Sequence, residues 1–260
     1  MTNIDHSFRP PDSFVELSRT LGDPAEDMVI LAEGNTSARA GDDQFWVKAS
    51  GRSLREISAA GFVLVRFDPL LAALDRTLTD EEVREVLREA NDDPASGKVP
   101  SVEAFMHAWL LRLPGVHVVG HTHPTALLPL LCLEESETLA NSRLFPDEIV
   151  CCGQYACWVP YVDPGIELAK AIARSVTAFE AQHGQLPKVL WLQNHGLIAL
   201  GSTPAEVISA SRMSVKAARV WQGLLATGRP IHLLPQGLRE RIENRPDEHF
   251  RQKMLWGDPA

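Results

Sequence analysis

Short strand-like runs alternate with amphipathic helical segments along most of the chain, and no other feature narrows the possible folds as much. Residues 45–49, 62–65, 116–119, 157–162 and 189–192 read as strands. A first helix is expected where Phe14, Leu17, Ser18 and Leu21 recur at helical spacing behind Asp12 and Ser13 as capping candidates. Further helices are expected over 79–90, over 102–113 with Ser101 as N-cap and Pro114-Gly115 as its stop, over 166–179, and from Pro204 to Leu225. The stretch from Glu33 through Arg39, Gly41-Asp42-Asp43 and the run 45–49 reads as a hairpin with a polar Gly34-Asn35 turn at one end, Ser50-Gly51 as a second turn, and 91–99 as an exposed loop. The pattern predicts a single α/β domain over 1–260, with a peripheral, linker-like C-terminal arm from about 228.

Several functional classes are disfavoured. The apolar run 126–133 is interrupted by Pro129 and is far shorter than the roughly 20 residues that span a bilayer, so no membrane helix is expected. Residues 1–11 carry Asp5, His6 and Arg9 and lack the apolar core of a secretory signal, so a cytoplasmic location is expected. Net charge is −9 with dispersed basic residues, which argues against a surface tracking nucleic-acid phosphates but leaves room for a local pocket for one small anion. Cys132, Cys151, Cys152 and Cys157 form neither a C-x-x-C pair nor a disulfide framework and read as buried reduced thiols.

His121 and His123 follow the strand run 116–119. In extended backbone, side chains two apart share a face, so both imidazoles can address one ion while Thr122 points away. Imidazole suits zinc and its neighbours, and a catalytic site needs a third protein ligand. His195, directly after the run 189–192 and before Gly196, is the best candidate. Spacing alone leaves open the alternative of neutral histidines satisfied by hydrogen bonds at a polar strand end.

Five segments, in order, narrow the choice: Glu33-Gly34-Asn35-Thr36-Ser37-Ala38-Arg39, Val47-Lys48-Ala49-Ser50-Gly51, Pro100-Ser101-Val102-Glu103 with His107, Gly120-His121-Thr122-His123-Pro124, and Asn194-His195-Gly196. In order and spacing they resemble the motifs of the class II aldolase/adducin family, over roughly residues 14–225. The resemblance implies a three-layer α/β/α domain around a central, largely antiparallel sheet, commonly a cyclic homotetramer with active sites between neighbours. It implies His121, His123 and His195 as ligands of Zn2+ or another divalent metal, and Glu103 as the acidic residue beside it for proton transfer. His107, one helical turn after Glu103, could orient that carboxylate. Turns matching 34–35 and 50–51 hold the substrate phosphate in sugar-phosphate members, which points to Asn35, Ser50, Gly51 and Ser101 as anion donors. Lys48 and Ala49 stand where the family often has Thr-Pro, so Lys48 could add charge for a phosphate or a carboxylate.

The implied activity is that of a lyase: aldol cleavage or formation of a C–C bond in a small ketose phosphate or related hydroxy-keto substrate, through a metal-stabilised enediolate. Decarboxylation, epimerisation and dehydration are alternatives on the same site, and a non-catalytic adducin-like interaction domain is the alternative outside enzymes. Asp147, Tyr155 and Tyr161 are reserve candidates for proton transfer without a motif match.

Overall fold

A computed structural model describes residues 9–247 and Met254; the N-terminal arm through residue 8 and most of the chain's last thirteen residues lie outside them. In chain order the described elements are α1 (Asp12–Leu21), β1 (Asn35–Arg39), β2 (Gln44–Lys48), β3 (Phe62–Arg66), α2 (Phe67–Ala73), α3 (Asp80–Ala90), α4 (Ala104–Leu110), β4 (Val118–Thr122), α5 (Leu128–Leu131), α6 (Ser136–Ala140), α7 (Pro146–Cys152), β5 (Cys157–Val159), α8 (Ile166–His183), β6 (Val189–Leu192), β7 (Gly196–Gly201), α9 (Pro204–Ala226) and α10 (Gln236–Glu243). The strands form one open sheet in the order β3-β2-β1-β4-β7-β6-β5. Every neighbouring pair is antiparallel except β5 with β6.

Alternation along the strands builds a core on each side. Phe45, Val47, Val119, Ile198 and Leu200 pack with Phe105 of α4 and Ile172 of α8. Val118, Trp191, Leu197 and Ala199 pack on the other face with Phe14 and Leu17 of α1 and Trp221 of α9. The architecture is therefore three-layer α/β/α with a largely antiparallel central sheet. No helix among the described residues is long and apolar enough to cross a membrane.

Local chemistry explains where elements begin and end, including departures from expectation. Thr79 and Glu82 close a reciprocal capping box on α3. At α1, Pro11 takes the N-cap position and Asp12 lies in the first turn, so neither Asp12 nor Ser13 caps the helix. Helix α4 starts at Ala104 instead of Val102: the Ala104 N–H bonds the Ser101 carbonyl at 3.0 Å, closing a turn that leaves Glu103 itself at the N-cap, while the Ser101 hydroxyl accepts the Glu103 N–H at 3.3 Å. Strand β5 stops at Val159 because Pro160 has no N–H to give a ladder. Helix α8 runs on to His183, where Gly184 takes a left-handed φ of 69°.

Strand β7 and helices α2, α5, α6, α7 and α10 are absent from the sequence expectations. β7 follows β6 after three residues, and its flanking Gly196 looks like the end of the preceding strand. The added helices are only four to eight residues long, too short for a clear 3.6-residue period. Within the linker-like stretch after 228, Ile242 of α10 buries against Ile149 and Val150 of α7. Cys152 and Cys157 are buried, as expected, but Cys151 is half-buried and Cys132, just past α5, is exposed.

Candidate active site

The register brings the chemistry-bearing residues to one end of the sheet. Asn35 of β1 lies opposite His121 of β4, and His121 lies opposite Ile198 of β7. His121 is fully buried. Its Nδ1–H donates to the Leu197 carbonyl at 3.0 Å, which leaves the Nε2 lone pair free and fixes the ring. His123 lies just past β4 and is tied by its N–H to the Met28 carbonyl at 2.8 Å. Glu33 Oε2 lies 3.9 Å from His123 Nδ1 and favours a proton there.

His195 occupies the three-residue connection from β6 to β7. Its N–H donates to the Leu192 carbonyl at 3.1 Å, and Asn194 accepts the left-handed φ of 54° that the turn requires. The next position must lack a side chain: a Cβ on Gly196 would lie 2.5 Å from the Thr122 carbonyl oxygen and 2.8 Å from His123 Cδ2. The three imidazoles meet with ring centroids 4.8 to 4.9 Å apart, and one nitrogen from each lies within 4.8 Å of the others.

Burial is the main force on their protonation. It pushes His121 down to about 3, with His195 next in influence, and His123 down to about 3, with His121 next. His195 is lowered as well, again chiefly by burial. All three are thus neutral at pH 7, the form that ligates metals. His121 Nε2 and His123 Nε2 lie 3.0 Å apart; with both protons on Nδ1, two lone pairs face each other, an arrangement that a cation between them relieves. The triad can hold a divalent metal ion.

Glu103 stands over this cluster. Its Oε1 lies 3.6 Å from both His121 Nε2 and His195 Nε2 and, although buried, has no hydrogen-bond partner. A lone buried carboxylate oxygen beside three lone-pair nitrogens fits a cation site. Its Oε2 accepts from Asn35 Nδ2. Because the Asn35 amide donates there, its Oδ1 accepts from His107 Nε2–H, and His107 Nδ1 in turn accepts the Ser37 hydroxyl at 2.6 Å. Burial holds His107 down to about 3, so the ring is neutral and the polarity of the chain is defined from Ser37 to Glu103. His107 therefore reaches Glu103 through Asn35 and not directly, and Asn35 has its side chain committed to Glu103 and His107. Ser37 was not singled out from sequence; its position two residues after Asn35 on β1 was the available signal.

Residues 12–222 match the family model described as the class II aldolase and adducin N-terminal domain. The chain belongs to this family. It is 29% identical over 224 residues to the uncharacterized oxidoreductase YuxG of Bacillus subtilis (strain 168), an alignment covering 80% of this chain and 30% of that protein. The chain thus spans under a third of that relative's length. Among solved structures, the N-terminal class II aldolase domain of a conserved protein from Thermoplasma acidophilum is 30% identical, with a TM-score of 0.61 over 85% of this chain and 96% of that one. An L-fuculose 1-phosphate aldolase is 16% identical and has the same fold, with a TM-score of 0.65 over 94% of this chain and 98% of that one.

In this class II aldolase-family chain the expected anion residues fall on three segments. Ser50 and Gly51 are exposed just beyond β2, with Gly51 at φ 72°, and the Ser50 N–H ties that turn to the Val99 carbonyl at 2.9 Å. Ser101 lies two residues further along the same tether, with its hydroxyl on the Glu103 N–H. Lys48 is buried at 3% exposure, not solvated. Its Nζ donates to the Ala32 carbonyl at 2.7 Å and the Arg52 carbonyl at 2.8 Å, bridging the loops before β1 and after β2. Burial lowers it to about 8, opposed by the Glu103 charge, so it is still mostly cationic at pH 7. Of the reserve candidates, Tyr155 stacks on His183 at 4.2 Å and the Tyr161 hydroxyl donates to Asp163 at 3.2 Å.

Proposed function

We propose that this chain is a metal-dependent lyase that cleaves or forms a C–C bond in a small ketose phosphate by aldol chemistry, with Glu103 moving the proton. The reading rests on Glu103 Oε1, a buried, unpartnered carboxylate oxygen 3.6 Å from both His121 Nε2 and His195 Nε2. His121, His123 and His195 would hold the metal, and an all-imidazole donor set favours zinc. When bound, the ion supplies a Lewis acid for the negative charge that develops at the substrate carbonyl as the C–C bond breaks or forms.

The protein's own groups fill the remaining roles. Asn35 holds Glu103 Oε2, so Oε1 is the oxygen available to take or give a proton. His107 and Ser37 keep the Asn35 amide from flipping and act as positioning residues. Ser50, Gly51 and Ser101 supply donors for the substrate phosphate. Lys48 adds positive charge and joins the loops on either side, and a phosphate needs only its third N–H. The activity in the name of one structural neighbour, L-fuculose 1-phosphate aldolase, agrees with this reading. A homotetramer with sites between subunits is part of the same proposal.

Glu103→Gln tests it. The variant keeps the shape and the metal but loses the base, so turnover of ketose phosphates should fall by about a hundredfold or more. Normal turnover with full metal content would reject the assignment.

A further inference from the structure

A cavity of about 740 Å³, with no histidine in its lining, lies between α3 and the segment 94–102. Arg52, Arg84, Arg88 and Lys98 line it and no acidic residue does, in a chain whose net charge is −9. Arg84 pairs with Glu81 at 2.8 Å and Lys98 donates to the Phe62 carbonyl, but neither Arg52 nor Arg88 has a carboxylate partner among the described residues. Beside these cations Val99 and Val102, 56% and 50% exposed, present apolar side chains that cost free energy to leave in water.

We propose that this cleft binds an anionic small molecule with an apolar body, its phosphate or carboxylate held by Arg84 and Arg88. Arg84 and Arg88 are one helical turn apart on α3, so both guanidinium groups can address one anion, and Val99 and Val102 of the same lining supply the apolar surface. A concave wall of one sign concentrates the field on its occupant. The cleft is also joined to the candidate active site: Ser50 lines it, the Ser50 N–H is bonded to Val99, Ala49 pairs with Pro100, and Glu103 directly follows Val102. Lys48, Gly51 and Ser101, the proposed donors for the substrate phosphate, do not line it, so the existence of this second anion site does not rest on the proposed function.

Phenyl phosphate, benzoate and inorganic phosphate are the probes, titrated calorimetrically into the full chain with metal and after metal stripping. Phenyl phosphate or benzoate should saturate one site per chain and bind about tenfold or more tightly than inorganic phosphate, since a buried ring adds apolar contact. The aromatic probe that binds better identifies phosphate or carboxylate as the preferred anion. Arg84→Ala/Arg88→Ala should weaken it about tenfold or more at unchanged metal content and unchanged circular dichroism, and Arg84→Lys/Arg88→Lys should recover part of the loss. Binding should survive metal stripping, which keeps the test independent of the lyase reading. Unchanged affinity in the alanine pair, loss of binding on stripping, no saturable binding at millimolar probe, or a change of oligomeric size in place of affinity would each overturn the proposal.

Discussion

The histidine cluster and the turns proposed to bind the substrate anion share one end of the sheet, yet they are built in opposite ways. Around the histidines most groups are tied down: His121 by the Leu197 carbonyl, His123 by Met28 and Glu33, the His195 backbone by its turn, and Glu103 Oε2 by a hydrogen-bonded chain reaching back to Ser37. At the turns, Ser50, Gly51 and Arg52 are exposed and joined to the rest by a few backbone bonds and by Lys48. A rigid reacting centre beside an open recognition edge lets the chemistry stay fixed while substrate preference drifts.

If that contrast is right, changes at the cluster should be severe and changes at the turns graded. The largest effect is expected from His195→Ala, which removes one of the three proposed ligands: metal content by elemental analysis should drop to a small fraction, and turnover with it. Undiminished metal affinity would remove His195 from the ligand set. Gly196→Ala should come next, because a methyl 2.5 Å from a carbonyl oxygen cannot be accommodated without moving β4 or the His123 ring. A lower melting temperature together with weaker metal retention is expected, and wild-type values for both would show that the three rings need no such clearance.

His107→Gln probes the supporting chain through pH. His107 titrates near 6.5 when unfolded and is pushed down to about 3 in the fold, so the unfolded chain takes up the proton first. Stability is then lost as pH falls from about 6.5 towards 3, by up to about 1.4 kcal/mol per pH unit from this one group. Urea unfolding at pH 7 and pH 5 should show a smaller acid penalty in His107→Gln than in the parent protein, and an identical penalty would mean that His107 is not buried neutral. The smallest effect is expected at the turns: Lys48→Ala should raise KM for a phosphorylated substrate severalfold with a milder change in kcat. A collapse of kcat at constant KM would instead move Lys48 into the reacting centre.

The parts legible in the sequence are those set by local periodicity. The two-residue spacing of His121 and His123 and the apolar run before His195 place these side chains at strand ends without any knowledge of the fold. Helices α3, α8 and α9 are legible because each is long, and Thr79 and Thr203 cap the first and last of them. The family's motifs pointed to the three-layer fold and to Glu103. The partnership of Asn35 with Glu103 and His107 was not legible, because it joins residues 68 and 72 positions apart, and only the sheet register and the packing of α4 bring them together. The start of α4 was displaced for a related reason: Ser101 makes the side-chain bond of a cap, to the Glu103 N–H, but the Ala104 N–H bonds the Ser101 carbonyl, closing a separate turn ahead of the helix.

The loop over 91–98 has a consequence for how this molecule stays dispersed. β3 is an edge strand, and its outer rim is not bare: Asn91 bridges to Val65, the Asp92 N–H bonds the Leu64 carbonyl, and Lys98 Nζ bonds the Phe62 carbonyl. The loop acts as a selvedge on the sheet, spending the backbone groups that would otherwise template a strand from another chain. At the opposite rim β5 is only three residues long and is cut off by Pro160. The loop therefore cannot be trimmed, by evolution or by an engineer seeking a roomier recognition edge, without uncovering the rim on which aggregation would start.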